Sequence, residues 1–520
     1  LTLSAAVGGN EMRYSYATTK ITAPELEIDG VYKLKNSAVT LVTDASRREK
    51  GVHSIYEFVN LGWDDTYFLD VTCRTDWSST LHPTKWSYTY PSVSASVLLD
   101  KAFKINTPYV NMLKVRASWA NVGNDTSPYS LYDAYSKTSL PGGFTLPSTL
   151  KDAYINPENV ESWEVGFEGK FFSNRLNLDL ALYKNTTTDQ ILGVSQSSET
   201  GATKVMMNAG RVENKGIEIS FRLRPVQTRD LLWEINGNWA RNKNKLCELN
   251  DGWDPSTPLQ TSMGVTIGSR TFVYSYIGEE MHWIYGRDYV RAPKGSTYTD
   301  ENGTVIDCSG MPIIDPKTGY PSLIEDPNQR IAKVNPDWKA GFGTSVRYKN
   351  LSFSAQFTAQ VGGNSFSVTN FALSYQGKLK NSLPGREDGL VLKGVNAVDN
   401  GDGTISYRKN NTITENVYIY YNKYQWVRDN TKANTFSTDF LKLKEVRLDY
   451  RFPERWMQKT KFLRSASIGI FATNLFCITN WPQYDPEAAG VVSGTNIYGG
   501  IETGSFPMTR TYGFNIKLQF

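Results

Sequence analysis

The chain of 520 residues contains no run of about 18 or more apolar residues, so it offers no candidate transmembrane helix. That absence does not exclude a membrane barrel, because barrel strands alternate lipid-facing and lumen-facing residues. The formal net charge is only +4, and no cluster of Lys and Arg is typical of nucleic-acid binding. The four cysteines and three histidines are scattered, which argues against a disulfide framework or a zinc site.

Motifs of known catalytic chemistry are also missing. The sequence has no GxSxG and no HExxH pattern. Asp64 and Asp65 are adjacent carboxylates, but they lie in a predicted tight turn, where Asp is a common turn residue. The stretch 399–404, Asp-Asn-Gly-Asp-Gly-Thr, lacks the spacing of a calcium loop and predicts a hairpin or loop turn. We therefore predict no enzyme activity, no metal site and no cofactor.

The last strand shows what the sequence does contain. Its residues alternate between a large apolar face and a small or polar face, the period of a β-strand. The apolar face carries aromatic residues at both ends, as expected of a lipid-facing band flanked by interface girdles. The two faces are formed by Tyr512, Phe514, Ile516, Leu518 and Phe520, and by Gly513, Asn515, Lys517 and Gln519.

Similar strands recur along the chain, joined alternately by tight turns and long loops. The predicted strands are 1–8, 53–61, 67–77, 86–99, 112–121, 162–172, 175–185, 205–223, 231–242, 338–348, 351–361, 440–452, 462–474 and 509–520. Long loops are predicted near 9–46, 123–159, 243–337, 362–438 and 475–508. Short turns follow the even-numbered strands, so all the long loops fall on one side.

This sorting of loops predicts an all-β fold: a transmembrane antiparallel β-barrel with about 14 strands in this chain. Structureless stretches of this length are uncommon inside a compact soluble domain. The competing interpretation is a soluble, secreted β-rich glycan-binding module or glycosidase. That alternative predicts strand faces that are polar wherever they are exposed, and a glycosidase would also need two carboxylates across a cleft.

Several segments along nearly the whole chain carry a further signal: 67–81, 90–96, 156–158 with 161–168, 208–210 with 214–218, 440–448, 474–476, 484–487 (Tyr-Asp-Pro-Glu) and 506–512. In this order they resemble the SusC/RagA family of TonB-dependent outer-membrane transporters of the Bacteroidetes. No single segment is decisive, but their joint order is specific.

The resemblance implies a 22-stranded barrel with a plugged lumen. Residues 1–520 would then be the carboxy-terminal part of the barrel, with the plug and about eight first strands not in this chain, since residues 1–8 already have the pattern of a strand. Family members import large nutrients across the bacterial outer membrane, most often glycans and sometimes oligopeptides. Siderophore import by the same fold is disfavoured by the segments above.

The resemblance also implies partners. A SusD-like surface lipoprotein would cover the outer mouth, and TonB would pull on the plug, which belongs to the amino-terminal part of the same transporter. Proton-motive force would supply the energy, so no cofactor is implied. Two transporter–lipoprotein pairs would form a dimer in the lipid bilayer, and no nucleic acid is involved.

An aromatic segment, 271–287, is the candidate ligand contact. Aromatic faces stack on sugar rings and on peptide side chains alike, and they also pack loops together. We predict Trp283 and Tyr285 as substrate-binding residues. Four polar residues of the predicted strands are interpreted as lumen-facing wall residues: Asn236, Asn238, Gln356 and Gln360.

Overall fold

A computed structural model of the protein describes residues 1–138, 140, 142–195, 199, 201–249, 253–262, 271–457, 459, 462–487, 499–504 and 506–520. Its main element is a 14-stranded sheet in which each strand is hydrogen-bonded to the next one in chain order. The strands are β1 (Thr2–Thr22), β2 (Val42–Trp63), β3 (Tyr67–Ser78), β4 (Ser87–Leu98), β5 (Val110–Asn124), β6 (Glu158–Phe171), β7 (Leu176–Thr188), β8 (Arg211–Gln227), β9 (Leu231–Glu248), β10 (Trp338–Tyr348), β11 (Leu351–Val361), β12 (Phe440–Arg451), β13 (Ser465–Thr479) and β14 (Thr511–Gln519).

Shorter elements lie in the connections. The short strands are Ser136–Lys137, Phe144–Thr145, Thr149–Lys151, Ile191–Ser195, Lys204–Asn208, Leu259–Ser262, Phe272–Ser275, Trp283–Gly286, Thr297–Thr299, Val305–Asp307, Gln329–Lys333, Asn364–Ser367, Val395–Asp399, Ile405–Lys409, Thr435–Ser437 and Ile501–Glu502. The α-helices are α1 (Leu99–Ala102), α2 (Val368–Tyr375), α3 (Val417–Tyr420) and α4 (Glu454–Met457). Single turns of 3₁₀-helix span Leu34–Asn36 and Lys380–Ser382, and Tyr421–Gln425 is a π-helix. No helix in these described ranges is long and apolar enough to cross a membrane.

The predicted fold class is confirmed: the chain is mostly β-strand, its main sheet is antiparallel, and it has the strand number that the sequence predicts. Four of the six connections that follow even-numbered strands are two to four residues long, as predicted, whereas those after β4 and β12 span 11 and 13 residues and contain α1 and α4. Between β2 and β3, Asp64 and Asp65 adopt φ values of 54° and 45°. Two successive residues with positive φ are the signature of a tight hairpin turn, so the turn role of this carboxylate pair is confirmed.

The first compact unit comprises Leu1–Gly169, Ala181–Lys215 and Leu246–Asp254. In it the structure corrects the predicted loop near 9–46. β1 and β2 pair continuously from Thr2↔Gly62 to Thr22↔Val42, which leaves only residues 23–41 as the connection. β1 is 21 residues long, whereas a bilayer-crossing strand needs about 9–11. Within β1 the large apolar residues change from the odd positions Leu3 and Val7 to the even positions Met12, Tyr14 and Tyr16, so the alternation is interrupted near Gly8.

The second compact unit comprises Lys170–Leu180, Gly216–Lys245 and Pro255–Phe520. Here β9 to β14 carry the alternation predicted from the sequence. Phe342 of β10 stacks on Phe357 of β11 on the apolar face, with ring centroids 4.7 Å apart. On β14 the apolar face is largely exposed, Phe514 by 73%. A strand that exposes large aromatic side chains in a regular row has the face that lipid would cover.

Candidate functional site

The aromatic segment folds into a small sheet within the second unit. Four strands, Leu259–Ser262, Phe272–Ser275, Trp283–Gly286 and Gln329–Lys333, pair in that order. Successive side chains point to opposite faces. One face is apolar and buried, where Val273 and Ile284 pack on Phe366 and Ile501. The other face is aromatic and is formed by Phe272, Tyr274, Trp283 and Tyr285.

Trp283 lies half-buried on this aromatic face beneath a cation. The guanidinium carbon of Arg330 is 3.6 Å from the ring centroid of Trp283, and Arg330 also pairs with Glu279 at 3.1 Å. The buried indole Nε1 of Trp283 has no hydrogen-bond partner among the described residues. The sequence did not reveal Arg330, because 46 residues of loop separate it from Trp283. Ligand binding by Trp283 stays a prediction.

Tyr285 is more deeply placed and is only 6% exposed. Its ring centroid lies 5.4 Å from that of Tyr274 and 5.6 Å from that of Tyr276. Burial raises the pKa of Tyr274 to about 12 and also raises the pKa of Tyr285, so both phenols stay neutral at physiological pH. Tyr285 is thus the buried member of the aromatic face and packs against Tyr274 and Tyr276. Its contact with ligand also stays a prediction.

A cavity of about 560 Å³, lined by both polar and apolar residues, lies against β9 to β12. Of the four predicted wall residues, Asn238 and Gln360 line it. Asn236 and Gln356 lie on the same face but in the adjacent row, opposite Gly343. A Cβ on Gly343 would lie 2.3 Å from the Gln356 side-chain oxygen, so glycine leaves the space that this amide occupies. These amides therefore form one polar strip, as the alternation predicts.

Gln360 has a second role that the sequence did not show. Its amide nitrogen donates to the carbonyl oxygen of Thr438 at 3.2 Å and to the Thr438 hydroxyl at 3.0 Å. Gln360 thus binds the end of the connection that links β11 to β12. Thr358 also lines this cavity, and its buried hydroxyl has no hydrogen-bond partner among the described residues.

A cluster of four charged groups anchors the last long connection to the sheet, and we call it the Lys442 clamp: Lys442, Lys444, Asp485 and Glu487. The ammonium of Lys442, whose side chain is 2% exposed, donates to Asp485 and to Glu487, the latter at 2.7 Å. Lys444 donates to the same Glu487 oxygen at 2.5 Å. Two cations face two carboxylates, so the buried charges are balanced.

The clamp is expected to weaken in acid. Burial alone would raise the pKa of Glu487, but hydrogen bonds from Lys442 and Lys444 outweigh burial and hold this pKa below its usual value. A lowered pKa gives stability that is complete above the unfolded value, about 4.3, and is lost as the pH falls through the folded value. The protection factor of residues 480–487, which is the hydrogen-exchange rate relative to the unstructured chain at the same pH, should therefore fall below about pH 4 and stay constant between about pH 5 and 8.

The substitution Glu487→Gln is the matched control for this acid effect, because the amide cannot titrate. In that variant the protection factor of residues 480–487 should be lower at neutral pH and nearly independent of pH. Equal protection factors of the wild-type segment at about pH 3 and pH 7 would show that Glu487 is not the titrating anchor.

Buried amides tie the long connections to one another. Asn370 donates to Asn434 at 3.1 Å, Asn381 donates to Asn370 at 3.3 Å, and Gln483 donates to the same Asn370 oxygen at 3.3 Å. Asn430 and Asn434 are fully buried. Because buried amides need partners, this network specifies one arrangement of residues 362–439 and 480–487. We call these two segments, together with residues 271–337, the loop assembly.

The stretch 399–404 is the turn of a hairpin between the strands Val395–Asp399 and Ile405–Lys409, as predicted. Its side chains bond their own backbone: Gly401 N–H donates to Asp399 and Thr404 N–H donates to Asp402, both at 2.9 Å. Within the described residues no group of three or more His, Cys, Asp or Glu side chains is arranged to hold a metal ion.

Comparison with known proteins identifies the fold. Residues 2–375 match the family described as TonB dependent receptor-like, beta-barrel. The chain is similar to TonB-dependent receptor P3 of Formosa agariphila, with 25% identity over 503 residues that cover 94% of this chain and 47% of that protein. It is also similar to TonB-dependent receptor SusC of Bacteroides thetaiotaomicron, with 22% identity over 501 residues that cover 92% of this chain and 45% of that protein.

A solved structure agrees in fold. The chain superposes on the RagAB peptide transporter with a TM-score of 0.75 and 19% identity, covering all of this chain and 53% of that one. The chain spans about half the length of the curated relatives it matches. The predicted SusC/RagA resemblance and the outer-membrane location are thereby confirmed, against the alternative of a soluble secreted module. Since the family match covers well over half of the chain, the protein belongs to the TonB-dependent receptor-like β-barrel family of the outer membrane.

Proposed function

We propose that this chain is the carboxy-terminal barrel portion of a transporter that imports a large nutrient, an oligosaccharide, across the outer membrane. The observation that carries the proposal is the aromatic face of Trp283 and its neighbours, held by the same loop assembly that the cavity against β9 to β12 adjoins. Aromatic faces next to convergent polar groups suit ligands with both apolar and hydroxyl surfaces, as sugars have.

The chain's own residues support a capture role rather than catalysis. The Lys442 clamp and the amide network hold the loop assembly in one arrangement, so a ligand meets a preorganised surface. The neutral amides of Asn238 and Gln360 then offer weak, exchangeable hydrogen bonds along the wall. Weak sequential bonds favour passage over retention. We therefore propose a carrier and not an enzyme.

The proposed partners follow from the relatives. A plug-bearing amino-terminal portion would complete the sheet, TonB would act on that plug, and a SusD-like lipoprotein would close the outer side. Two such pairs would associate in the membrane. The RagAB protein, whose fold this chain shares, is a peptide transporter, so oligopeptide is the alternative cargo.

Uptake by cells that carry the complete transporter tests this proposal. Fluorescently labelled neutral oligosaccharides should accumulate in the periplasm in a TonB-dependent manner, and labelled peptides should not. Uptake of the labelled peptides but not of the oligosaccharides would show that the cargo is oligopeptide. Uptake of neither class at physiological energy supply would overturn the proposal of nutrient import.

The substitution Trp283→Ala should reduce oligosaccharide affinity about threefold to tenfold, because one ring-stacking contact contributes roughly 0.5–1.5 kcal/mol. Isothermal titration calorimetry on the purified complete transporter measures this change. Trp456→Ala is the control, since Trp456 lies in α4, in the connection between β12 and β13 and outside the aromatic face. Unchanged affinity in Trp283→Ala would remove Trp283 from the binding site.

A further inference from the structure

β9 carries a row of three cations that the proposed function does not use, and we call it the basic row: Arg241, Lys243 and Lys245. All three side chains are exposed. Residues two apart in a strand point to the same face. The basic row therefore continues the apolar row of the same strand, which includes Trp233 and Trp239.

The intervening residues of β9 show which way the basic row points. Asn238 and Ala240 line the cavity against β9 to β12. The side-chain oxygen of Asn244 accepts from the backbone N–H of Met281 at 3.3 Å and from the amide of Asn335 at 3.2 Å. These even-numbered residues face the cavity and the loop assembly. The basic row thus lies on the opposite face, which lipid would cover.

The basic row lies at the outer boundary of the bilayer. The turn before β9 is short, residues 228–230, so this end of the strand is the periplasmic one. A barrel strand crosses the bilayer with about 9–11 residues, which places the outer boundary near residues 239–241. Trp239 lies there, and tryptophan is enriched at this depth. Arg241 and Lys243 are therefore level with the lipid headgroups.

The protein itself leaves these charges without close anionic partners. In the part of the chain that the structure describes, Arg241 and Lys243 form no ion pair. A hydrogen bond from Lys333, with the charges of Lys333, Arg241 and Lys243, lowers the pKa of Asp337. That carboxylate is already taken, because the Lys333 ammonium lies 2.6 Å from its Oδ1. An excess of positive charge remains on the outward face, and it suits an anion supplied from outside the chain.

Cations are not a general feature of this level in the second unit. β11 and β13 run in the same direction as β9, and their outward rows end in Val361 and Ile478. These two side chains are 38% and 65% exposed. The basic row is therefore local to β9, and it is not explained by a band of interfacial lysines that all strands share.

A phosphorylated lipid fits both parts of this surface. Lipids of the outer leaflet of a bacterial outer membrane are glycolipids that carry phosphate groups as well as acyl chains. The guanidinium of Arg241 can bind phosphate with two parallel hydrogen bonds, and the ammonium of Lys243 adds a point charge. Acyl chains would cover the adjoining apolar side chains of Ile235 and Trp239. A soluble anion would use only the cations.

From these observations we infer that Arg241 and Lys243 bind the phosphate of an outer-leaflet lipid whose acyl chains cover the apolar row of β9. The inference goes beyond the proposed function and does not depend on the cargo, because it uses only the outer-membrane location of the chain. A lipid held here would fix the depth at which β9 sits in the membrane.

The test measures lipid binding to the purified complete transporter by native mass spectrometry. The probes are bisphosphorylated lipid A, the same lipid after enzymatic removal of its phosphates, and inorganic phosphate. A Lys or Arg near an anionic surface contributes a factor of about five. In the double variant Arg241→Gln with Lys243→Gln, the phosphorylated lipid should therefore bind about tenfold to thirtyfold more weakly. The dephosphorylated lipid should bind the variant and the wild type equally.

Two controls separate local charge from other effects of substitution. Arg241→Lys keeps the charge and should retain the affinity for phosphorylated lipid within about threefold. The double variant Lys294→Gln with Lys317→Gln makes the same change in net charge at two exposed lysines of the loop assembly. It should bind the phosphorylated lipid as the wild type does.

Three results would overturn the inference, and each leaves nutrient import untouched. The first is equal affinity of the wild type for the lipid with and without phosphate, a comparison that needs no variant to fold. The second is equal weakening in the loop control, since binding would then follow net charge alone. The third is inorganic phosphate binding as tightly as the lipid, because the apolar row would then contribute nothing.

Discussion

The substitution Lys442→Met is expected to release the last long connection from the sheet. It removes the cation from a buried cluster and leaves the carboxylates of Asp485 and Glu487 with only Lys444. Breaking a buried ion pair from one side costs about 3–5 kcal/mol, because the remaining charge stays desolvated. Hydrogen exchange of residues 480–487 should accelerate by about two to four orders of magnitude, the factor that corresponds to this energy.

The control is Lys444→Met in the same clamp. Lys444 is 32% exposed and contacts one carboxylate, so water replaces much of what is lost, and the expected cost is about 1 kcal/mol. Comparable exchange rates in the two variants would show that the burial of Lys442 does not increase the energetic cost of removing its charge. A third variant, Lys442→Met with Asp485→Leu and Glu487→Gln, should recover part of the stability, because no buried carboxylate then lacks a partner.

Strand alternation made most of the main sheet predictable from sequence. β14 is the clearest case, because every second side chain is large and apolar and the intervening ones are small or polar. The failure at β1 arises because its alternation changes phase. The large apolar residues move from the odd positions Leu3 and Val7 to the even positions Met12, Tyr14 and Tyr16, although the strand pairs continuously with β2. A change of phase moves the apolar residues to the other face, so the sequence pattern indicates a strand that ends near Gly8.

The candidate sites were predictable only where neighbours in space are neighbours in sequence. Trp283 and Tyr285 are two residues apart in a strand, so their common face follows from the period alone. Arg330 and the clamp partners Lys442 and Asp485 meet through the folding of long connections, and no local pattern encodes such contacts.

The buried amide network should be the part of the loop assembly most sensitive to substitution. Asn434 is fully buried; its amide donates to the carbonyls of Val427 and Asn430, both at 3.1 Å, and its oxygen accepts from Asn370. In Asn434→Leu these partners lose their bonds without access to water. Each buried group left unsatisfied costs about 1–3 kcal/mol, so we expect a loss of roughly 3–6 kcal/mol.

The loss from Asn434→Leu should appear where Asn434 joins two strands. The Ser367 N–H donates to the carbonyl of Asn434 at 2.8 Å, beside the pairing of Asn364–Ser367 with Thr435–Ser437. Hydrogen exchange should therefore accelerate in both strands while β10 and β11 stay protected, since their ladder does not depend on the amide. Asn411→Leu, at an exposed asparagine of the same connection, should leave exchange unchanged. Equal protection of both strands in Asn434→Leu would mean that apolar packing alone orders the loop assembly, because the network would then carry no net stability.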